Sequence, residues 1–136
     1  MNPTPYLFFN GNCREALAFY GALFGAEPEI MEASGMPEDF PVPDDKKDWV
    51  MHGSLNIGEG MLMASDNIFG ESAKMAGCGV QLDLPTAAEG KAIFDKLSAG
   101  GEVTMAWEPT FWSAGFGTCT DKFGTHWMVG TSEMPG

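Results

Sequence analysis

Residues 5–9, Pro-Tyr-Leu-Phe-Phe, make a short apolar run that reads as a buried strand. Asn12 then stands three residues before Glu15, a capping-box-like helix start with Asn in place of Ser or Thr. Ala16, Leu17, Tyr20, Leu23 and Phe24 recur on one helical face, and Gly25 supplies a C-terminal stop. A short strand over 27–32 and an acidic, Pro-rich loop over 34–47 follow. Residues 50–57 and 61–65 read as a hairpin turned by Gly58-Glu59-Gly60.

The pattern then recurs. In 79–84, Val80, Leu82 and Leu84 alternate with Gln81 and Asp83, which predicts a strand. Thr86 with Glu89 is a full capping box, Ile93, Phe94 and Leu97 give the helix its apolar face, and Gly100-Gly101 ends it. Strands are predicted over 102–107, 113–120 and 126–130. The order strand, helix, strands therefore occurs twice, which predicts an α+β chain of two βαβββ modules, each with one helix against a mixed sheet. Module one spans about 1–66, a linker about 67–77 and module two about 78–132.

Strand alternation predicts which residues lie away from the helices. Phe8, Leu55, Ile57, Leu62, Val80, Leu82, Trp127 and Val129 are expected under the helices. Leu7, Phe9, His52, Ser54, Asn56, Met61, Met63, Ser65, Gln81, Asp83, His126 and Met128 are expected on the opposite faces. Curved sheets meeting through those faces leave a concave space whose mixed lining suits a small molecule, with a packed core as the plain alternative.

Composition narrows the partners. A formal charge of −12 with only seven Lys and Arg in 136 residues repels phosphate backbones and anionic lipid, so neither nucleic acid nor a membrane surface is an expected partner. No apolar run approaches a membrane span, and the first residues show no basic start followed by an apolar stretch. Cys13, Cys78 and Cys119 have no paired spacing and read as reduced thiols, which points to the cytoplasm.

Among candidate residues, His52 stands out as a central-strand imidazole that can act as a general base or hydrogen-bond a ligand; a structural histidine is the alternative. Trp107, Phe111, Trp112 and Phe116 concentrate aromatic area that fits a pocket wall or a dimer interface. Cys13 falls in a first helical turn, where the dipole lowers a thiol pKa, but no base accompanies it. The 34–47 loop, with Phe40 in it and Trp49 just beyond, is long enough to act as a lid.

Residues 5–16, Pro-Tyr-Leu-Phe-Phe-Asn-Gly-Asn-Cys-Arg-Glu-Ala, and 105–112, Met-Ala-Trp-Glu-Pro-Thr-Phe-Trp, together with Gly115-Phe116-Gly117, Thr120-Asp121-Lys122-Phe123-Gly124 and Trp127-Met128, carry a family resemblance. With the doubled βαβββ order, the chain resembles the vicinal-oxygen-chelate superfamily of glyoxalases, extradiol dioxygenases and bleomycin-resistance proteins, and within it the PhnB-like branch. The resemblance implies a glyoxalase-like fold, a homodimer, and a cavity in each cupped sheet. It also implies four metal-ligand positions, on strands one, four, five and eight. Here they fall on Pro5, Met63, Gly79 and Met128, none of which suits a hard divalent ion.

The expected function is thus the binding of a small, partly apolar molecule in a dimeric cavity, with no metal and no cofactor. The ligand-binding candidates are Phe9, His52, Ser54, Met63, Gln81, Asp83, Trp107, Trp112 and Met128, and the catalytic residue, if any, is best sought at His52. The alternative is a glyoxalase-type isomerase, lyase or transferase acting on a small carbonyl or thiol-conjugated substrate through His52 with Asp83 or Gln81. A demethylubiquinone methyltransferase label attached to some PhnB-like proteins is not expected to describe the chemistry, because no Gly-rich strand-to-helix turn is present to cradle an adenosyl cofactor.

Overall fold

The computed structural model describes residues 1–136, which form two units, Met1–Ala73 and Lys74–Gly136. The first unit runs β1 (Tyr6–Phe9), α1 (Cys13–Phe24), β2 (Glu29–Glu32), β3 (Val50–Ile57) and β4 (Gly60–Asp66). Its sheet order is β1-β4-β3-β2, parallel between β1 and β4 and antiparallel elsewhere. The second unit repeats that plan: β5 (Val80–Leu84), α2 (Ala87–Ser98), β6 (Glu102–Glu108), β7 (Phe116–Thr120) and β8 (His126–Thr131), in the order β5-β8-β7-β6. The chain is α+β with two mixed four-stranded sheets and one helix on each, as the sequence predicts. Neither helix is long and apolar enough to cross a membrane.

Glycines in the sheets mark where the helices sit. Gly53 of β3 carries no side chain because Leu17 of α1 lies directly over it. In the second unit a Cβ on Gly117 of β7 would stand 2.9 Å from the Phe94 ring of α2. Cys13, Ala16, Leu17 and Tyr20 are buried from α1, and Phe94 and Leu97 from α2. Those side chains hold the helices to their sheets through removal of apolar surface from water.

The helix starts differ from one another. Thr86 caps α2 as predicted: its hydroxyl accepts from Glu89 N at 3.1 Å and lies 3.3 Å from Glu89 Oε2. Asn12, read as the cap of α1, makes no side-chain cap bond. Asp66 at the end of β4 instead holds the backbone just around that start. Its Oδ1 accepts from Gly11 N (2.7 Å) and Cys13 N (3.1 Å), and its Oδ2 from Val50 N (3.0 Å).

One strand is inverted relative to expectation. Leu7 and Phe9, expected on the open face, are buried under α1 at 4% and 5% exposure, whereas Phe8, expected under the helix, is 63% exposed. The cause is register. β1 pairs in parallel with β4, placing Leu7 beside Ala64 and Phe9 beside Asp66, while Tyr6 and Phe8 lie beside Met63 and Ser65. Four consecutive apolar residues contain no alternation, so only the partner strand fixes their phase.

Two further segments depart from expectation. The strand predicted from residue 113 begins at Phe116, because residues 109–115 turn through Thr110, whose hydroxyl accepts from Ser113 N at 3.1 Å. The 34–47 segment is docked rather than free. It contains part of one 3-10 turn (Ala33–Gly35) and all of another (Asp44–Lys46), and Val42 joins Ala33 and Ile68 in a small core flanked by Met36, Trp49 and Met51. Arg14 fastens it to α1 through Glu32 Oε1 (2.8 Å) and the Asp48 carbonyl (3.3 Å).

Candidate functional site

On β3, the face opposite α1 carries His52, Ser54 and Asn56, as the alternation of that strand predicts. Register adds their neighbours: Met31 of β2 lies opposite His52, Met63 of β4 opposite Ser54, and Met61 opposite Asn56. Tyr6 on β1 completes the row beside Met63. Tyr6 Oη lies 2.9 Å from His52 Nδ1, and the two rings are 5.7 Å apart. Phe8 stands 5.1 Å from Tyr6 on its other side, so three rings run in series across the sheet. Phe8, Met31 and Met61 are exposed at 63%, 54% and 40%. The result is a hydrogen-bonded phenol–imidazole pair set among exposed rings and thioethers.

The two histidines differ in what they have left to offer. His126 is tied at both ring nitrogens, Nδ1 to Thr120 Oγ1 at 2.8 Å and Nε2 to the Met75 carbonyl at 2.8 Å. A carbonyl accepts only, so Nε2 carries the proton and a neutral ring accepts from Thr120 at Nδ1. His126 is a structural tie between β8 and the segment before β5. His52 has one bonded nitrogen, and its Nε2 is unpartnered by protein.

The second sheet has its own open face. Gln81 lies beside Met128 and Asp83 beside Gly130. A side chain on Gly130 would meet Asp83 Oδ1 at 3.0 Å and Phe116 at 3.4 Å, so these residues share a face. Trp112 packs edge-on against Phe116 at 5.5 Å, with Phe111 4.7 Å beyond it. The hydroxyls of Thr104 and Thr118 bond at 2.7 Å, and Thr118 pairs with Met128.

Of the nine ligand-binding candidates, His52, Ser54 and Met63 lie together on the first open face, and Gln81, Asp83, Trp112 and Met128 belong to the second unit's open side. Phe9 and Trp107 belong to neither. Phe9 is buried beneath α1. Trp107 is pressed into the gap left by Gly90 of α2, where a Cβ would stand 2.7 Å from its ring, and its centroid is 5.7 Å from that of Phe94. Tyr6, Phe8 and Met31 were not anticipated. For Tyr6 the available signal was the clear phase of β4, where Leu62 and Ala64 point to the helix, combined with parallel pairing to β1.

Metal-ligand chemistry does not fit these faces. Pro5 and Gly79 precede their strands, the Pro5 carbonyl accepting from Met63 N at 3.0 Å, and register places Tyr6 beside Met63 and Gln81 beside Met128. Of those four, only Gln81 offers an oxygen of the kind such sites use, and Tyr6 is already engaged by His52. No three His, Cys, Asp or Glu side chains converge in a way that would hold an ion.

The cysteines are three free thiols. Burial, with the nearby Asp66 carboxylate adding to it and Arg14 partly offsetting it, pushes the Cys13 thiol up to about 12. Burial and Asp121 push Cys119 up to about 11. Cys78 is exposed in the segment just before β5.

Two four-stranded mixed sheets of identical order, each with one helix, make a glyoxalase-like fold. Two solved structures, each 14% identical to this chain, share that fold: a glyoxalase/bleomycin resistance protein/dioxygenase family enzyme from Burkholderia phytofirmans PsJN, with a TM-score of 0.62 over 93% of this chain and 94% of that one, and a glyoxalase-related enzyme from Fulvimarina pelagi, with 0.61 over 96% and 88%. More narrowly, the chain belongs to the PhnB-like family described as 3-demethylubiquinone-9 3-methyltransferase, whose family model matches residues 2–130. It is 37% identical to Protein YjdN of Escherichia coli (strain K12) over 138 residues, covering 93% of this chain and 92% of that one. The crystal structure of protein PA1353 from Pseudomonas aeruginosa is 42% identical, covers 98% of both chains and has a TM-score of 0.86. The PhnB protein from Bacillus cereus is 24% identical with a TM-score of 0.80, over 96% of this chain and 99% of that one.

Proposed function

We propose that this protein binds a small, partly apolar molecule on its open sheet faces, as a homodimer and without a hard divalent metal. The observation that carries the proposal is the Tyr6–His52 hydrogen bond among the exposed side chains of Phe8, Met31 and Met61. Apolar surface with a few placed polar groups is the usual make-up of a ligand site, and it gains stability when covered by a ligand, a second chain or both. Native mass spectrometry with elemental analysis of the purified protein tests it. The expected species is two 14.6 kDa chains with an organic adduct and no stoichiometric metal. A stoichiometric divalent ion, or a bare monomer that takes up no small molecule, overturns the proposal.

A second reading, catalysis of the glyoxalase type, rests on the unpartnered Nε2 of His52. Its polar neighbour is Tyr6 on the same sheet, while Asp83 and Gln81 belong to the other unit. Methyl transfer, the activity in the family's description, finds no support in the strand-to-helix connections. Asn10-Gly11-Asn12 and Pro85-Thr86 are short, and neither is the Gly-rich turn that brings a backbone close to an adenosyl cofactor.

A further inference from the structure

We infer that the Tyr6–His52 pair is the polar anchor for an uncharged aromatic ligand carrying a hydroxyl or carbonyl oxygen, an inference that rests on the small-molecule reading above and names its ligand class. The pair leaves one hydrogen-bonding atom, His52 Nε2, to offer. When the Tyr6 phenol donates to Nδ1 over 2.9 Å, a neutral His52 carries its proton on Nε2 and presents an N–H to a ligand oxygen. In the other tautomer Nδ1–H donates to the phenol oxygen and Nε2 accepts from a ligand hydroxyl. Either way the ligand atom opposite Nε2 is a hydrogen-bonding one, and a hydroxyl oxygen serves in both cases.

The surroundings select a flat, conjugated body for that ligand. Phe8, Tyr6 and His52 tile the face at centroid spacings of 5.1 and 5.7 Å, with both pairs tilted by 35°. Met31 stands opposite His52 and Met63 opposite Tyr6, which brings polarizable sulfur to both sides of the pair. Rings and thioethers both favour an aromatic partner over an aliphatic one of equal area. Charge sets the remaining limit. Strands β1 to β4 contain no Lys or Arg, and Glu29 lies on the same face opposite Ser54. An anionic ligand would lose its hydration with no cation to replace it.

Three probes built on one ring system separate these statements: naphthalene, 2-naphthol and 2-naphthoate, titrated calorimetrically against the intact protein. The expected order of affinity is 2-naphthol, then naphthalene, then 2-naphthoate, with about three- to tenfold between the first two for one added hydrogen bond. Tyr6→Phe keeps the ring and is expected to erase most of the naphthol advantage while leaving naphthalene binding unchanged. A nitrogen-15 spectrum of the imidazole supplies an independent readout, since 2-naphthol should move the His52 Nε2 resonance and naphthalene should not. Equal binding of naphthol and naphthalene, unaltered in Tyr6→Phe, overturns the anchor and leaves the small-molecule reading in place. Tightest binding by 2-naphthoate overturns the ligand class. Failure of all three probes to bind overturns both readings.

Discussion

Cys13 occupies the first turn of α1, where a helix dipole favours a thiolate, yet its thiol is pushed up to about 12. The sequence shows the helix position but not the burial, nor the Asp66 carboxylate that arrives from β4. Burial wins because removing a thiolate from water costs more than a single dipole end returns. Cys119 behaves alike, at about 11, and Cys78 alone faces solvent. Iodoacetamide at pH 8 is therefore expected to label one cysteine per folded chain and three in denaturant, counted by mass spectrometry. The raised values also link stability to pH. A thiol whose folded pKa lies above its ordinary 9.0 contributes stability that is full below pH 9 and lost as pH rises toward 12. Urea denaturation from pH 8 to 12 is expected to show falling stability, and Cys13→Ala a shallower fall. The same residue scale explains what was legible at His52. Its strand alternates cleanly, with Leu55 and Gly53 under the helix, so its open-face position could be read directly. Tyr6 could not be placed that way, because its strand is apolar at every position.

Helix starts and stops were the most legible elements, since capping is local chemistry between residues three or four apart. Thr86 shows this and Asn12 shows its limit. The signal at Asn12 is the same in kind, but its side chain makes no cap bond, and a carboxylate distant in sequence holds the neighbouring Gly11 and Cys13 N–H groups instead. The two positions consequently predict opposite outcomes. Thr86→Ala is expected to cost about 1 kcal/mol, the usual price of a lost N-cap, whereas Asn12→Ala should stay within about 0.5 kcal/mol. Asp66→Asn is the decisive third variant. It retains one oxygen for Gly11 and Cys13 but turns an amide toward Val50 N–H, leaving donors facing each other in a site 4% exposed. A loss of about 1–3 kcal/mol by chemical denaturation is expected. Equal effects of Asn12→Ala and Thr86→Ala would show that Asn12 does cap α1 in solution. The loop over 34–47 marks what element-level reading could not reach. Its prolines and acids identify a loop, but the docking of Val42 onto Ala33 and Ile68 depends on packing across sequence distance.

For the whole molecule, the repeated order β-α-β-β-β was recoverable because each copy carries its own cap, stop and turns, and the two sheet orders repeat one another strand for strand. The faces have diverged. The first unit leaves rings and thioethers exposed around Tyr6 and His52. The second ends its exposed side in a loop that holds Phe111 at 90% exposure and Trp112 at 50%. That loop is held in place by a dense set of bonds. Thr110 Oγ1 accepts from Ser113 N, and the Ser113 hydroxyl bonds the Gly115 and Thr131 carbonyls at 2.8 Å each. Holding the backbone beneath two aromatic side chains lowers the ordering cost of association, and such residues are typical anchors of protein interfaces. If the proposed homodimer uses them, Phe111→Asp should shift sedimentation from two chains toward a single 14.6 kDa species. It should leave unfolding nearly unchanged, because a side chain 90% exposed contributes little to its own fold. A variant that remains fully dimeric would remove this loop from the interface and return Trp112 to the alternative place that the sequence allowed it, as a wall of a ligand pocket.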